Sequence, residues 1–103
     1  MMIARWSINA RFGYKQNVID LMERWMREIA PTVGLTRERM RLLTGSVGAL
    51  ESTIQTEHEI ADLGELQRVW DTLAKIEQHK QWGKELEPYV VSGTSRWEVM
   101  RVL

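Results

Sequence analysis

The middle of the chain, Arg39 to Ile60, reads RMRLLTGSVGALESTIQTEHEI. Two β-prone runs flank a turn-rich tetrapeptide, Gly45-Ser46-Val47-Gly48, which is the pattern of a β-hairpin with a loop of a few residues. A helical pattern lies on either side of it, and a further strand-like run sits at each end of the chain. The expected order is therefore strand, helix, strand, strand, helix, strand.

The periodicities support that order. From Ile3 to Phe12, Ala4, Trp6, Ile8, Ala10 and Phe12 alternate with Arg5, Ser7, Asn9 and Arg11, as in a strand with one apolar face. Tyr14 to Ala30 carries Val18, Leu21, Met22, Trp25 and Ile29 at helical spacing, and Pro31 stops the helix. Arg39 to Thr44 and Leu50 to Ile60 form the hairpin strands. Leu50, Ile54 and Ile60 share a face with Ser52, Thr56 and His58, while Glu51, Thr53, Gln55, Glu57 and Glu59 make the other face wholly polar. Arginines of one hairpin strand then meet glutamates of the other. Asp62 and Glu65 have capping-box spacing and start a second helix expected to run to about Trp82. Ser95 to Leu103 is the last strand, with Trp97 and Val99 alternating against Arg96 and Glu98. The helices also echo one another. Leu21 and Trp25 correspond to Leu66 and Trp70, an arrangement expected when both helices pack on one sheet in equivalent places.

Composition narrows the function classes. The 103 residues make one domain, residues 1–103. Fourteen basic and fourteen acidic side chains cancel, which speaks against nucleic acid and anionic lipid as partners. Without cysteine there is no disulfide, thiolate nucleophile or Cys-based metal site. The first ten residues alternate in polarity and carry Arg5, unlike a signal peptide, and no apolar run approaches the ~18 residues of a membrane span. A soluble, cytoplasmic protein with no membrane association is expected. Five Trp are many for so short a chain, more than one core needs, so some should wall a pocket or an interface.

Two βαβ units joined through a hairpin give an α+β, ferredoxin-like βαββαβ fold: a four-stranded antiparallel sheet with two helices on one face. The first and third strands are central. The uncovered face then holds arginines and glutamates that a second copy could pair across a two-fold axis, closing a dimeric α/β barrel. At this point the chain resembles a family. The strand–helix–hairpin–helix–strand order, the GSVG turn before an acid-rich strand, and the tail HKQWGKELEPYVVSGTSRWEVMRVL are similar to the dimeric α/β-barrel superfamily, and within it to small uncharacterised and NIPSNAP-like members. His79, Trp82, Pro88 and Glu98 carry the likeness in the tail. The resemblance implies a homodimer that binds a small organic ligand or serves as an assembly module. It equally implies, as an alternative, a cofactor-independent monooxygenase or isomerase. Superfamily members also include haem-binding proteins, but fold alone does not choose among these.

Candidate site residues follow, each with two readings. His58 is a candidate catalytic general base, or a partly buried strand-end histidine bonded to nearby backbone. Its neighbours Glu57 and Glu59 fall on the opposite face and cannot orient it. Arg5, Trp6, Asn9 and Glu57, close together if the first and third strands pair, are candidate ligand-binding residues, or parts of a salt-bridge lattice. Trp6, Trp82 and Trp97 are candidate aromatic walls. His79 reads as a surface residue near a helix end. Nothing completes a metal set, so neither metal nor cofactor is expected. The Gly45–Gly48 loop joins strands and lacks the Lys-Ser/Thr of a phosphate loop, and no nucleophile elbow appears.

Overall fold

The computed structural model describes residues 1–103. Its elements are β1 (Met2–Asn9), α1 (Lys15–Glu28), β2 (Met40–Thr44), β3 (Thr53–Ile60), α2 (Leu63–Leu73), α3 (Glu77–Leu86) and β4 (Arg96–Arg101). The sheet order is β2-β3-β1-β4, every neighbouring pair antiparallel. This is the ferredoxin-like arrangement, with β1 and β3 central. Alternation decides what each face carries. Ala4, Trp6, Ile8, Met40, Ile54, Thr56, His58, Ile60, Trp97 and Val99 point to the helices. Arg5, Ser7, Asn9, Arg41, Gln55, Glu57, Arg96 and Glu98 occupy the uncovered face. The main core joins Met40 and Ile54, with Trp6 packed against them, to Val18, Met22, Trp25, Met26 and Ile29 of the α1 segment and to Val69, Leu73, Trp82 and Leu86, while a smaller cluster joins Ala4 and Ile60 to Leu66.

The helix expected from Asp62 to Trp82 is two helices. It stops at Leu73, and Ile76 takes an extended backbone (φ −92°, ψ 115°) before α3 begins. The reason is rotational phase. Leu66, Val69 and Leu73 of α2 are buried, as are Trp82 and Leu86 of α3. At about 100° per residue, the nine steps from Leu73 to Trp82 would put the indole about 180° away, on the solvent side. Breaking the helix turns Trp82 back to the core.

The hairpin loop is longer than expected. The third strand starts at Thr53, not Leu50, so the loop spans 45–52 and Leu50 is exposed. Gly45 sits where the backbone closes on itself: a Cβ there would collide with the Leu50 carbonyl, while the Gly45 amide donates to the Thr53 carbonyl at 3.2 Å. Half of the capping box forms as expected. The Glu65 amide donates to Asp62 Oδ1 at 2.8 Å, but the Glu65 carboxylate accepts from the Ala61 amide and from Arg39 rather than from Asp62. No helix is long and apolar enough to cross a membrane.

Candidate functional site

Between the covered sheet face and the helices lies a cavity of about 340 Å³. Each of the five tryptophans lines it: Trp6 from β1, Trp25 from α1, Trp70 from α2, Trp82 from α3 and Trp97 from β4. Met22, Leu35, Ile60, Leu66, Val69, Leu73 and Ala74 fill in between, and only Thr56, His58 and His79 bring polar side chains. No carboxylate, lysine or arginine is among the lining residues. Such a surface suits a neutral, largely apolar occupant, because a buried charge without a partner is costly.

Most indole N–H groups on this wall have acceptors. Trp6 Nε1 donates to Ser95 Oγ at 2.8 Å, Trp25 Nε1 to His79 Nδ1 at 3.0 Å, and Trp82 Nε1 to the Leu21 carbonyl at 2.7 Å. Trp70 Nε1 is buried and has no partner. Its ring meets Trp97 edge to face, centroids 5.3 Å apart.

His58 is 3% exposed, more deeply buried than its sequence position suggests. It bonds to a side chain and not to backbone: Nε2 lies 3.0 Å from Thr56 Oγ1. Trp25 packs against its ring at 82° with a centroid distance of 6.0 Å, and Trp97 covers another side at 6.3 Å. Burial, with a smaller push from the Arg39 charge, lowers its pKa to about 4. His58 is therefore neutral at pH 7, and its Nδ1 has no partner. His79 is not a surface residue. It is half-buried, accepts the Trp25 N–H, and stacks on Trp82 at 17° with centroids 5.8 Å apart. Burial lowers its pKa as well.

The expected ligand-binding set divides between the two faces of the sheet. Trp6, Trp82 and Trp97 join His58 at the cavity. Arg5, Asn9 and Glu57 lie on the uncovered face, because Trp6 has the opposite strand parity to Arg5 and Asn9. There Arg5 Nε donates to Glu57 Oε2 at 2.8 Å, Arg41 donates to Glu57 Oε1, and Thr53 Oγ1 donates to Asn9 Oδ1 at 2.9 Å. Burial works to raise the Glu57 carboxyl, but the hydrogen bonds and charges of Arg41 and Arg5 outweigh it and hold the pKa below the usual range. These residues form the charge lattice weighed as their second reading.

Thr56, Trp25, Trp70 and His79 were not among the expected site residues. The signal for two of them was the Leu-Trp echo, Leu21/Trp25 and Leu66/Trp70. Equivalent packing of two helices on one sheet puts both rings on the wall of one cavity.

Fold and site together define a ferredoxin-like α+β domain with a tryptophan-walled cavity beneath its helices. Neither the comparison with family models nor the search of curated proteins finds a match. Among solved structures, the neighbours include NIPSNAP-family proteins and ferredoxin-fold proteins of the antibiotic biosynthesis monooxygenase type. A NIPSNAP family protein from Agrobacterium tumefaciens superposes with a TM-score of 0.81 at 15% identity, over 99% of this chain and 85% of that one. An antibiotic biosynthesis monooxygenase gives 0.70 at 10% identity, over 100% and 99%. A dimeric protein of unknown function and ferredoxin-like fold from Bacteroides fragilis gives 0.65 at 13% identity, over 98% and 96%. At these identities the likeness is one of fold.

Proposed function

We propose that the protein binds a small, flat, neutral organic molecule in the tryptophan-walled cavity, as a homodimer whose subunits meet through their uncovered sheet faces. The observation that carries the binding reading is the gathering of all five tryptophans around one cavity of about 340 Å³. That volume falls within the range of about 300–1,000 Å³ common to small-molecule sites. A module serving assembly alone has no use for such a space. Two observations favour the dimer: the Glu57 carboxylate is buried between two arginines on the uncovered face, and the Bacteroides fragilis neighbour is described as dimeric. Titrating small aromatic compounds into ¹⁵N-labelled protein tests the binding reading. Saturable shifts confined to residues around the cavity are expected, and shifts scattered over the surface would refute it.

A second reading, a cofactor-independent monooxygenase or isomerase, has one observation of its own. His58 and Thr56, 3.0 Å apart, are two polar groups converging at the cavity. A neighbour of the same fold is an antibiotic biosynthesis monooxygenase. Oxygen uptake in the presence of a bound phenol, abolished in His58→Phe, would favour this reading over binding alone.

A further inference from the structure

The sheet register sets four charges in one line. Arg41 of β2 pairs with Glu57 of β3, Glu57 with Arg5 of β1, and Arg5 with Glu98 of β4. All four side chains share the uncovered face, so positive and negative alternate across the whole width of the sheet. The next row on that face, Leu43, Gln55, Ser7 and Arg96, carries a single charge. Within one subunit the line is unevenly matched. Arg5 and Arg41 both bond to Glu57, whereas Glu98 turns along its own strand to Arg96 at 3.3 Å. The Arg41 side chain is 72% exposed and that of Glu98 48%, so both ends of the line present charge outward.

A line of plus, minus, plus, minus is its own complement only when read backwards. Two copies meeting face to face by two-fold symmetry have distinct ways to align. With the axis crossing the strands at the charged line, each strand lies over its own equivalent. Arg41 then faces Arg41 of the partner subunit, and Glu57 faces the partner's Glu57. Moving that axis between rows sets Glu57 and Arg5 opposite the uncharged Gln55 and Ser7 rows. With the axis running along the strands, the strand order of the second copy is reversed, and every member of the line faces its opposite. Like charges brought together in an interface are disfavoured, and desolvated charges need partners. Packed sheets stand about 10 Å apart, a gap that an Arg and a Glu extended toward each other can span.

We propose that the uncovered face fits a second copy with its strand order reversed, β2 lying over the other subunit's β4 and β3 over its β1. Arg41 then faces Glu98 of the partner subunit at both edges of the interface, and Glu57 faces the partner's Arg5 at its centre. This rests on the homodimer reading above and specifies its geometry. Glu98, which that reading left without a role, becomes the residue that completes the pairing of Arg41.

The test has two arms on the full-length chain. In the first, sedimentation equilibrium measures dimerisation of the wild type, Glu98→Arg, and Glu98→Arg combined with Arg41→Glu. The single reversal sets like charges together at both edges and should weaken the dimer at least about tenfold. The double reversal restores opposite charges across the interface and should recover most of the loss. Equal dimerisation of wild type and Glu98→Arg, or no recovery in the double variant, overturns the proposal while the dimer stands. The second arm uses the absence of cysteine from the chain. Reversed order puts Leu43 over Arg96 of the partner subunit, and neither belongs to the alternating line. Leu43→Cys and Arg96→Cys chains, mixed and treated with a short bis-maleimide, should couple to each other. Leu43→Cys coupling to itself as readily as to Arg96→Cys overturns the reversed order. A wild type that sediments as one subunit at tens of micromolar removes the homodimer reading itself and this inference with it. The cross-linking arm leaves the four charges in place, so the strand order is judged even if the double reversal does not fold.

Discussion

At the scale of single residues, His58 shows how burial redirects a side chain's chemistry. Sequence alternation put it on the covered face and separated it from Glu57 and Glu59, and it lies there. What alternation could not give was depth, which depends on how closely Trp25 and Trp97 close over the ring. Depth has a thermodynamic consequence. The folded pKa of about 4 lies below the unfolded value near 6.5. Between those values the unfolded chain takes up a proton that the folded chain refuses. This part of the stability is fully present above pH 6.5 and is lost as pH falls toward 4, about 3 kcal/mol in all. Urea unfolding of the wild type at a series of pH values should show that decline, and His58→Gln should flatten it; identical slopes in the two proteins would contradict the burial argument. Glu57 shifts in the same direction for a different reason. Burial works to raise its carboxyl, but the hydrogen bonds and charges of Arg41 and Arg5 outweigh it, so its contribution is present at neutral pH and is lost as pH falls through the ordinary carboxylate range and below it.

At the scale of elements, strand order and sheet parity were legible because period-two alternation is a strong signal in β1, β3 and β4. The break in the second helical segment is not visible in its apolar stripe, because only the rotational phase of the two halves differs. Leu66, Val69 and Leu73 agree with one another, and Trp82 and Leu86 agree with one another, but the two sets cannot share one straight helix. The hairpin loop was underestimated because Leu50 looked like a strand residue, whereas pairing starts only at Thr53. Two substitutions test these local arguments. Asp62→Ala removes the acceptor for the Glu65 amide and should cost about 1 kcal/mol in chemical denaturation, with Asp62→Asn recovering most of it. Gly45→Ala forces a methyl into the Leu50 carbonyl and should cost about 1–3 kcal/mol. If the alanine variant is as stable as wild type, the loop does not close as described.

At the scale of the whole molecule, the sheet separates two kinds of chemistry that the sequence interleaves residue by residue. The covered face gathers rings and one neutral histidine, and the uncovered face gathers paired charges. Reading Arg5, Trp6, Asn9 and Glu57 as one site failed to respect that division; strand pairing brings residues near, but parity decides which can touch the same ligand. Arg41→Glu sets a second carboxylate against the buried Glu57 and should lower the mass measured by light scattering to that of one subunit if the proposed interface is right. An unchanged dimer mass would move the interface elsewhere. The placement of the indoles carries one more consequence. A chain whose every tryptophan stands around a single chamber has an indole emission, excited at wavelengths that spare tyrosine, that answers almost wholly to that chamber. Occupancy can therefore be followed by the protein's own light, without a dye. Tryptophan-to-phenylalanine variants taken one at a time would resolve which wall a guest lies against.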